Sequence, residues 1–409
     1  MVRNLILSLK KKEKEFLMKA KVFLIAFFAF FSAHDLFAVS DMVSPEVLRK
    51  KSEIARHMLT NEKIYEYFKT VRNRKVMVAR EILLAVYSPE KDSINLVRLK
   101  APISQPKDSH HFVFSVLTPG YRVEWLGGKG VTRLVFKVTD IRGEKRVLLD
   151  AKFISLEGNA KATDGVGVFY FPFTEDFLDP EFLREGSDFL TSKILEAKKE
   201  LCDLRVFSRA FPEKMICKIF PDELISSVPF MEQIDDGEFN GACPEQDCNH
   251  YSVNKILVHF ARNKEAAFSY SVSRSGARGL TQFMNSKKIP TYTFIKQKYS
   301  EARLINDFAK GTRDIRNSIK AEMCLLDYNL AILPEGVRDA YLKNPKIGGI
   351  FLVAAYNGGP LRAIKLYKAL VGHEIDLDHF KIPKKTLKNE TKGYLQKYIA
   401  IWNMLTERR

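Results

Sequence analysis

The chain has 409 residues, of which 46% are hydrophobic and 28% charged, and a formal net charge of +17. That length and apolar share exclude a disordered chain and allow two or three domains with a sizeable core. The charge is concentrated late: residues 246–409 carry 28 lysines and arginines against 14 acids, whereas residues 39–245 are nearly balanced.

At the start, Lys19 and Lys21 precede the apolar run from Val22 to Phe31, and the small residues Ser32, Ala33 and Ala38 follow it. A basic start, a short apolar segment and small residues predict a secretory signal over residues 1–38, with Met18 as an alternative first residue. The run is short for a bilayer span, which favours the signal over the alternative of an uncleaved anchor. The expected location is therefore outside the cytoplasm, in the periplasm or cell envelope. An exported chain seldom meets nucleic acid, so none is expected as a partner. The basic last third then fits an envelope polyanion or a merely solvated face.

Ser44-Pro45-Glu46 opens a helix, with a capping serine and proline at the first helical position, and helical patterning continues to about Leu84. From about Ile94 to Phe173 the pattern alternates, predicting strands at 112–116, 121–125, 133–138 and 147–150 with glycine turns between them. Asp179-Pro180-Glu181 starts a short helix, Gly186 breaks it, and Ser187 caps a second one to about Leu201. A small mixed α/β domain over residues 39–202 follows, without a catalytic constellation and with His110-His111 in a loop. Residues 203–250 hold scattered prolines, including Pro229, and read as a packed connector.

Five cysteines occur. Cys202 with Cys217 is placed to clamp the connector and Cys243 with Cys248 to close a short loop, while Cys324 reads as a buried free thiol. Cys243, Cys248 and His250 lack a fourth zinc ligand, and no metal or cofactor is expected.

In residues 251–409, Ser252 is expected to cap a helix ending near Glu265. Ala261, Val258 and Leu257 lie four, seven and eight positions before Glu265, so the acid continues an apolar stripe and is expected to face protein. Lost solvation would raise its pKa toward the value a general acid needs near neutral pH. A helix-end glutamate paired with a lysine is the alternative. Further on, Gly276 and Gly279 bracket a tight turn, and Gln282 supplies an amide donor and acceptor. Asn357-Gly358-Gly359-Pro360 is an efficient helix stop and restart.

Glu265, the run from Ser273 to Gln282, Asp314 to Ala321, Ala355-Tyr356-Asn357-Gly358-Gly359, and Glu390-Thr391-Lys392-Gly393-Tyr394 occur in this order. Together they resemble the SLT-type lytic transglycosylase family with a goose-lysozyme-like catalytic domain, over roughly residues 250–405. The resemblance implies an all-α lysozyme-like catalytic domain over 251–409, which with the mixed N-terminal domain read from its pattern makes the expected chain α+β. It implies exported cleavage of the MurNAc–GlcNAc bond of peptidoglycan glycan strands with 1,6-anhydro-MurNAc formation. Glu265 would be acid and then base, with Ser273, Gln282, Tyr356, Asn357 and Tyr394 lining the cleft and no cofactor. Envelope proteins are conceivable partners for the N-terminal domain.

The chain departs from the family pattern in places. Ala266 follows the acid where serine is usual, and the Glu265–Ser273 segment is one residue short, so an ungapped alignment places Lys264 at the catalytic position. Thr281 and Tyr270 stand where methionine and proline are common. The alternatives are a lysozyme-like hydrolase and a catalytically inactive glycan-binding module of envelope assembly.

Overall fold

The computed structural model describes residues 43–104, 112–128, 130–154, 167–239, 247–373, 375–377, 382 and 387–407. The signal segment, His110-His111 and the Cys243–Cys248 loop closure lie outside these residues. Leu48–Arg409 form one compact unit, and Met1–Val47 are grouped separately.

The first helix, α1 (Pro45–Asn61), stops well short of Leu84. It is followed by strands β1 (Glu66–Val71), β2 (Arg74–Ser88) and β3 (Ser93–Pro102). The helical expectation fails there because β2 is buried on both faces from Ile82 to Ser88, so its apolar run lacks the alternation of a half-buried strand. The later strands fall close to their predicted places: β4 (Ser115–Val116), β5 (Tyr121–Gly127), β6 (Val135–Asp140) and β7 (Lys145–Ile154), with β8 (Gly167–Phe169) added.

The strands pair antiparallel in the order β4-β3-β2-β7-β6-β5, with β1 against β2 and β8 against β7. Residues 66–154 thus make a nearly closed antiparallel barrel, which corrects the mixed α/β domain. Ile82, Leu84, Val97, Leu99, Phe136, Leu148 and Phe153 belong to its core. On β7, the Arg56 guanidinium of α1 pairs with buried Asp150, and Lys152 Nζ donates to the carbonyls of Leu59 and Glu62 at 3.0 and 2.7 Å. A cation on those last carbonyls also complements the helix dipole.

Helix α2 (Pro180–Asp203) runs unbroken through Gly186, capped by Asp179, whose carboxylate accepts from Glu181 N at 2.8 Å. Gly186 does not break the helix because it serves a crossing. A Cβ there would stand 2.0 Å from the Leu257 carbonyl oxygen of α4 (Cys248–Asn263). Cys202 and Cys217 form a disulfide at the end of α2, and Cys324 is a buried free thiol.

The expected connector contains α3 (Asp222–Gln233), with Leu224, Ile225, Val228, Phe230 and Met231 buried in the helical core. Pro229 lies inside α3, although proline usually breaks a helix interior. The remaining helices that matter for the site are α5 (Ile315–Ile332), α6 (Pro345–Gly358) and α7 (Asn389–Glu407).

A separate all-α lysozyme-like catalytic domain is therefore not evident, and the fold expectation is corrected. The sheet grows into the helices through residues 170–173. Phe171 N donates to Asn263 Oδ1 at 2.7 Å, and Asn263 Nδ2 returns a bond to Phe171 O at 3.2 Å. Tyr170 and Phe173 both pack their rings on His259 of α4. No described helix is long and apolar enough to cross a membrane.

Candidate functional site

Helix α3 ends in a carboxyl. Leu224, Ile225 and Val228 lie eight, seven and four positions before Glu232, so the acid extends their buried stripe, while its own side chain keeps partial solvent access. Tyr394 and Lys397 lie three apart on α7 and therefore on one face. Tyr394 OH donates to Glu232 Oε1 at 2.8 Å. Lys397 Nζ donates to Ile234 O at 2.7 Å and pairs with Asp236 at 2.6 Å, holding the exit of α3.

Gln233 binds the glycine turn to that helix end. Its Nε2 donates to Gly279 O and Leu280 O at 3.1 and 2.7 Å, and its Oε1 accepts from Ser271 Oγ at 3.2 Å. Gln282 Nε2 donates to Gly279 O at 2.7 Å and to Ser271 Oγ at 3.2 Å. Gly279 has φ +75°, and a Cβ on it would lie 1.9 Å from the Thr312 carbonyl oxygen, so only glycine fits. Tyr356 OH, from the end of α6, donates to Thr281 O at 2.7 Å. Next to it, Asn357 Oδ1 accepts from Thr391 Oγ1 at 2.9 Å.

Helices α3, α5, α6 and α7 pack on one another around this cluster. On α5, Glu322 is wholly buried and neither carboxylate oxygen has a hydrogen-bond partner among the described residues. Burial, reinforced by the nearby Glu232, raises its pKa well above the carboxylate range. Burial also pushes Glu232 up to about 7, against the Tyr394 hydrogen bond and the charges of Lys397 and Arg133, which favour its ionised form. Tyr356 and Tyr394 are raised by burial and by both acids, so their hydroxyls stay protonated donors.

A cleft of about 860 Å³ reaches Gln233 and Asp235 just after Glu232, while Glu232, Gln282, Tyr356, Asn357 and Tyr394 are not among its lining residues. Gln233, Asp235, Lys255, His259 and Phe268 line its helical side, and Glu124, Leu126, Arg133 and Lys137 line its sheet side. Burial holds His259 neutral, with its pKa lowered to about 3.

Tyr394 bonds Glu232 and Tyr356 lies within its field, Gln282 joins the glycine turn that Gln233 holds, Asn357 accepts from Thr391, and Glu265 and Ser273 stand elsewhere. Asp247 rather than Ser252 caps α4, which ends at Asn263. Lys264 then takes φ +47° and starts a short 3-10 turn, Lys264–Ala266. That reversal turns Glu265 off the apolar stripe, so the expectation that it faces protein is corrected. Its side chain is 73% exposed and pairs with Lys193 at 3.3 Å. It lines a separate open hollow with Lys193, Arg313 and Arg316. Ser273 is exposed, and its hydroxyl accepts from Ala277 N at 3.0 Å to close the turn. Asp314 caps α5, and Asn317 ties Ile305 N, Tyr292 OH and Gly311 O together, so that segment is structural.

Sequence reasoning missed Glu232, Gln233 and Glu322. The four-seven-eight spacing that singled out Glu265 also holds for Glu232, but Pro229 disguised the helix. Among the described residues no group of three His, Cys, Asp or Glu side chains is placed to hold a metal ion. No family model, curated protein or solved structure matches the chain.

Proposed function

We propose that the chain is an exported peptidoglycan lytic transglycosylase in which Glu232, rather than Glu265, acts as acid and then base. The observation that carries this reading is the Glu232 carboxyl. It is bonded to Tyr394, raised to about 7 by burial, and followed by Gln233, which holds the glycine turn that Tyr356 also bonds through Thr281. A carboxyl that holds its proton near neutral pH and keeps partial solvent access suits a general acid.

In this reading Glu232 gives its proton to the oxygen between MurNAc and GlcNAc, and that C1–O bond breaks. The substrate's N-acetyl oxygen bonds to C1 and holds the positive centre. The ionised Glu232 then takes the proton of the C6 hydroxyl while O6 bonds to C1, displacing the N-acetyl oxygen and closing the 1,6-anhydro ring. Glu232 ends protonated, ready for another round, and the tethered hydroxyl spares the site from positioning a water. Glu322 is an unsuitable second carboxylate, because a base that activates water must reach the solvent side of the sugar, and Glu322 is fully buried.

Digestion of purified cell wall followed by mass spectrometry tests this. Products one water lighter than reducing muropeptides are expected. Reducing products would instead support a hydrolase, and wall binding without release a non-catalytic module.

A further inference from the structure

The cleft lined by Gln233, the residue after Glu232, has two unlike walls, and the sheet wall carries charge without an ion pair. Most cations lining the cleft are neutralised locally. Lys255 pairs with Glu238 at 2.5 Å, Lys145 with Asp176 at 2.6 Å, and Arg146 with Glu90, Asp140 and Glu144 at 2.6 Å each. Lys137, directly across the β5–β6 ladder from Glu124, is exposed and forms no ion pair among the described residues. Arg133, just before β6, is half-buried in the cleft and pairs with no carboxylate among the described residues. Its charge nonetheless acts on Glu232, which places it on the sheet wall within the field of the acid.

A half-buried guanidinium with no anion of its own is a receptor for one, since its planar fork binds a carboxylate through two parallel hydrogen bonds. A glycan strand seated with its scissile bond at Glu232 carries such a group next to that bond. Each muramic sugar bears a lactyl ether at C3, which ends either in its own carboxylate or in a peptide with carboxylates further out. The N-acetylglucosamine units are neutral.

Building on the glycan-cleaving reading above, we infer that Arg133 binds a carboxylate carried on C3 of the muramic residue, so that the sheet wall reads the substituent while the helices cut the strand. Arg133 is then a specificity residue contributed by the barrel. It also explains why barrel and helices share one cleft.

The experiment uses the full chain on three substrates: peptide-bearing strands, strands stripped of peptide so that the lactyl carboxylate is free, and stripped strands whose carboxyl is converted to a neutral amide. Arg133→Ala is expected to raise KM about tenfold on whichever substrate presents the recognised carboxylate. On the amidated strands it should leave KM unchanged, and any change in kcat from the lost charge near Glu232 should be equal on all three substrates. The first two arms tell the lactyl carboxylate from the peptide's. Arg133→Lys should recover part of the loss, and unchanged thermal unfolding of both variants shows that the fold is intact.

An equal loss on the amidated strands, or no loss on either charged substrate, would overturn the inference. If the wild-type chain cuts none of the three, the glycan-cleaving reading has failed first, and that result is distinguishable from failure of the Arg133 role alone.

Discussion

Replacing Glu232 with glutamine should make the protein more stable and less active, with a stability gain that grows as pH rises from about 4.5 to about 7 and is constant above it. Glutamine keeps an oxygen for the Tyr394 hydroxyl but cannot ionise. In the folded chain Glu232 holds its proton up to about pH 7, against an ordinary carboxyl value of 4.5. Between those values the folded state binds a proton that the unfolded state has released, so wild-type stability falls as pH rises through this window. The full rise corresponds to about 3 kcal/mol, and partial solvent access at the carboxyl reduces it to about 2 kcal/mol. Urea unfolding across pH 4 to 8 should therefore show Glu232→Gln equal to wild type near pH 4 and about 2 kcal/mol more stable at pH 8. A gap independent of pH, or a variant weaker at pH 8, would refute the buried-acid reasoning.

The remaining predictions concern the frame around the site. Glu322→Leu should stabilise the chain by about 1–3 kcal/mol at pH 8, because a buried carboxyl without partners is removed; a loss in urea unfolding would mean that its oxygens are satisfied after all. Gly186→Ala should destabilise by about 1–3 kcal/mol as the new Cβ drives α2 from the Leu257 carbonyl. The opposite outcome, a gain of about 1 kcal/mol from helix propensity alone, would show that the crossing is looser. Serine at both Cys202 and Cys217 removes a bridge across a sequence separation of 15 and should cost about 3 kcal/mol in the same assay. An unchanged midpoint would contradict the bridge.

Where local signals are strong, sequence and structure agree. The alternating runs near 121–125 and 133–138 are strands because one-sided burial leaves a period of two, whereas 147–150 is a strand buried on both faces. The same logic fails for β2, whose two-sided burial erases the period, and for Gly186, where a packing role resembles a break. For the site, the glycine turn, Tyr356, Asn357 and Tyr394 were legible as motifs, and the structure brings them together. The acid was not. The stripe that leads to Glu265 ends in a positive φ at Lys264, a conformation that the apolar spacing does not encode. An equivalent stripe leading to Glu232 was obscured by Pro229, and residues 234–270 separate it from the glycine turn it serves.

The assignment of the acid is tested most directly by comparing Glu232→Gln with Glu265→Gln in cell-wall digestion, scoring 1,6-anhydro products by mass. Glu232→Gln should lose release by a factor of about a hundred to ten thousand, the usual contribution of a general acid–base group. Glu265→Gln, which alters only an exposed carboxylate paired with Lys193, should retain release close to wild type. An inactive Glu265 variant beside an active Glu232 variant would contradict the placement of the catalytic acid at the end of α3.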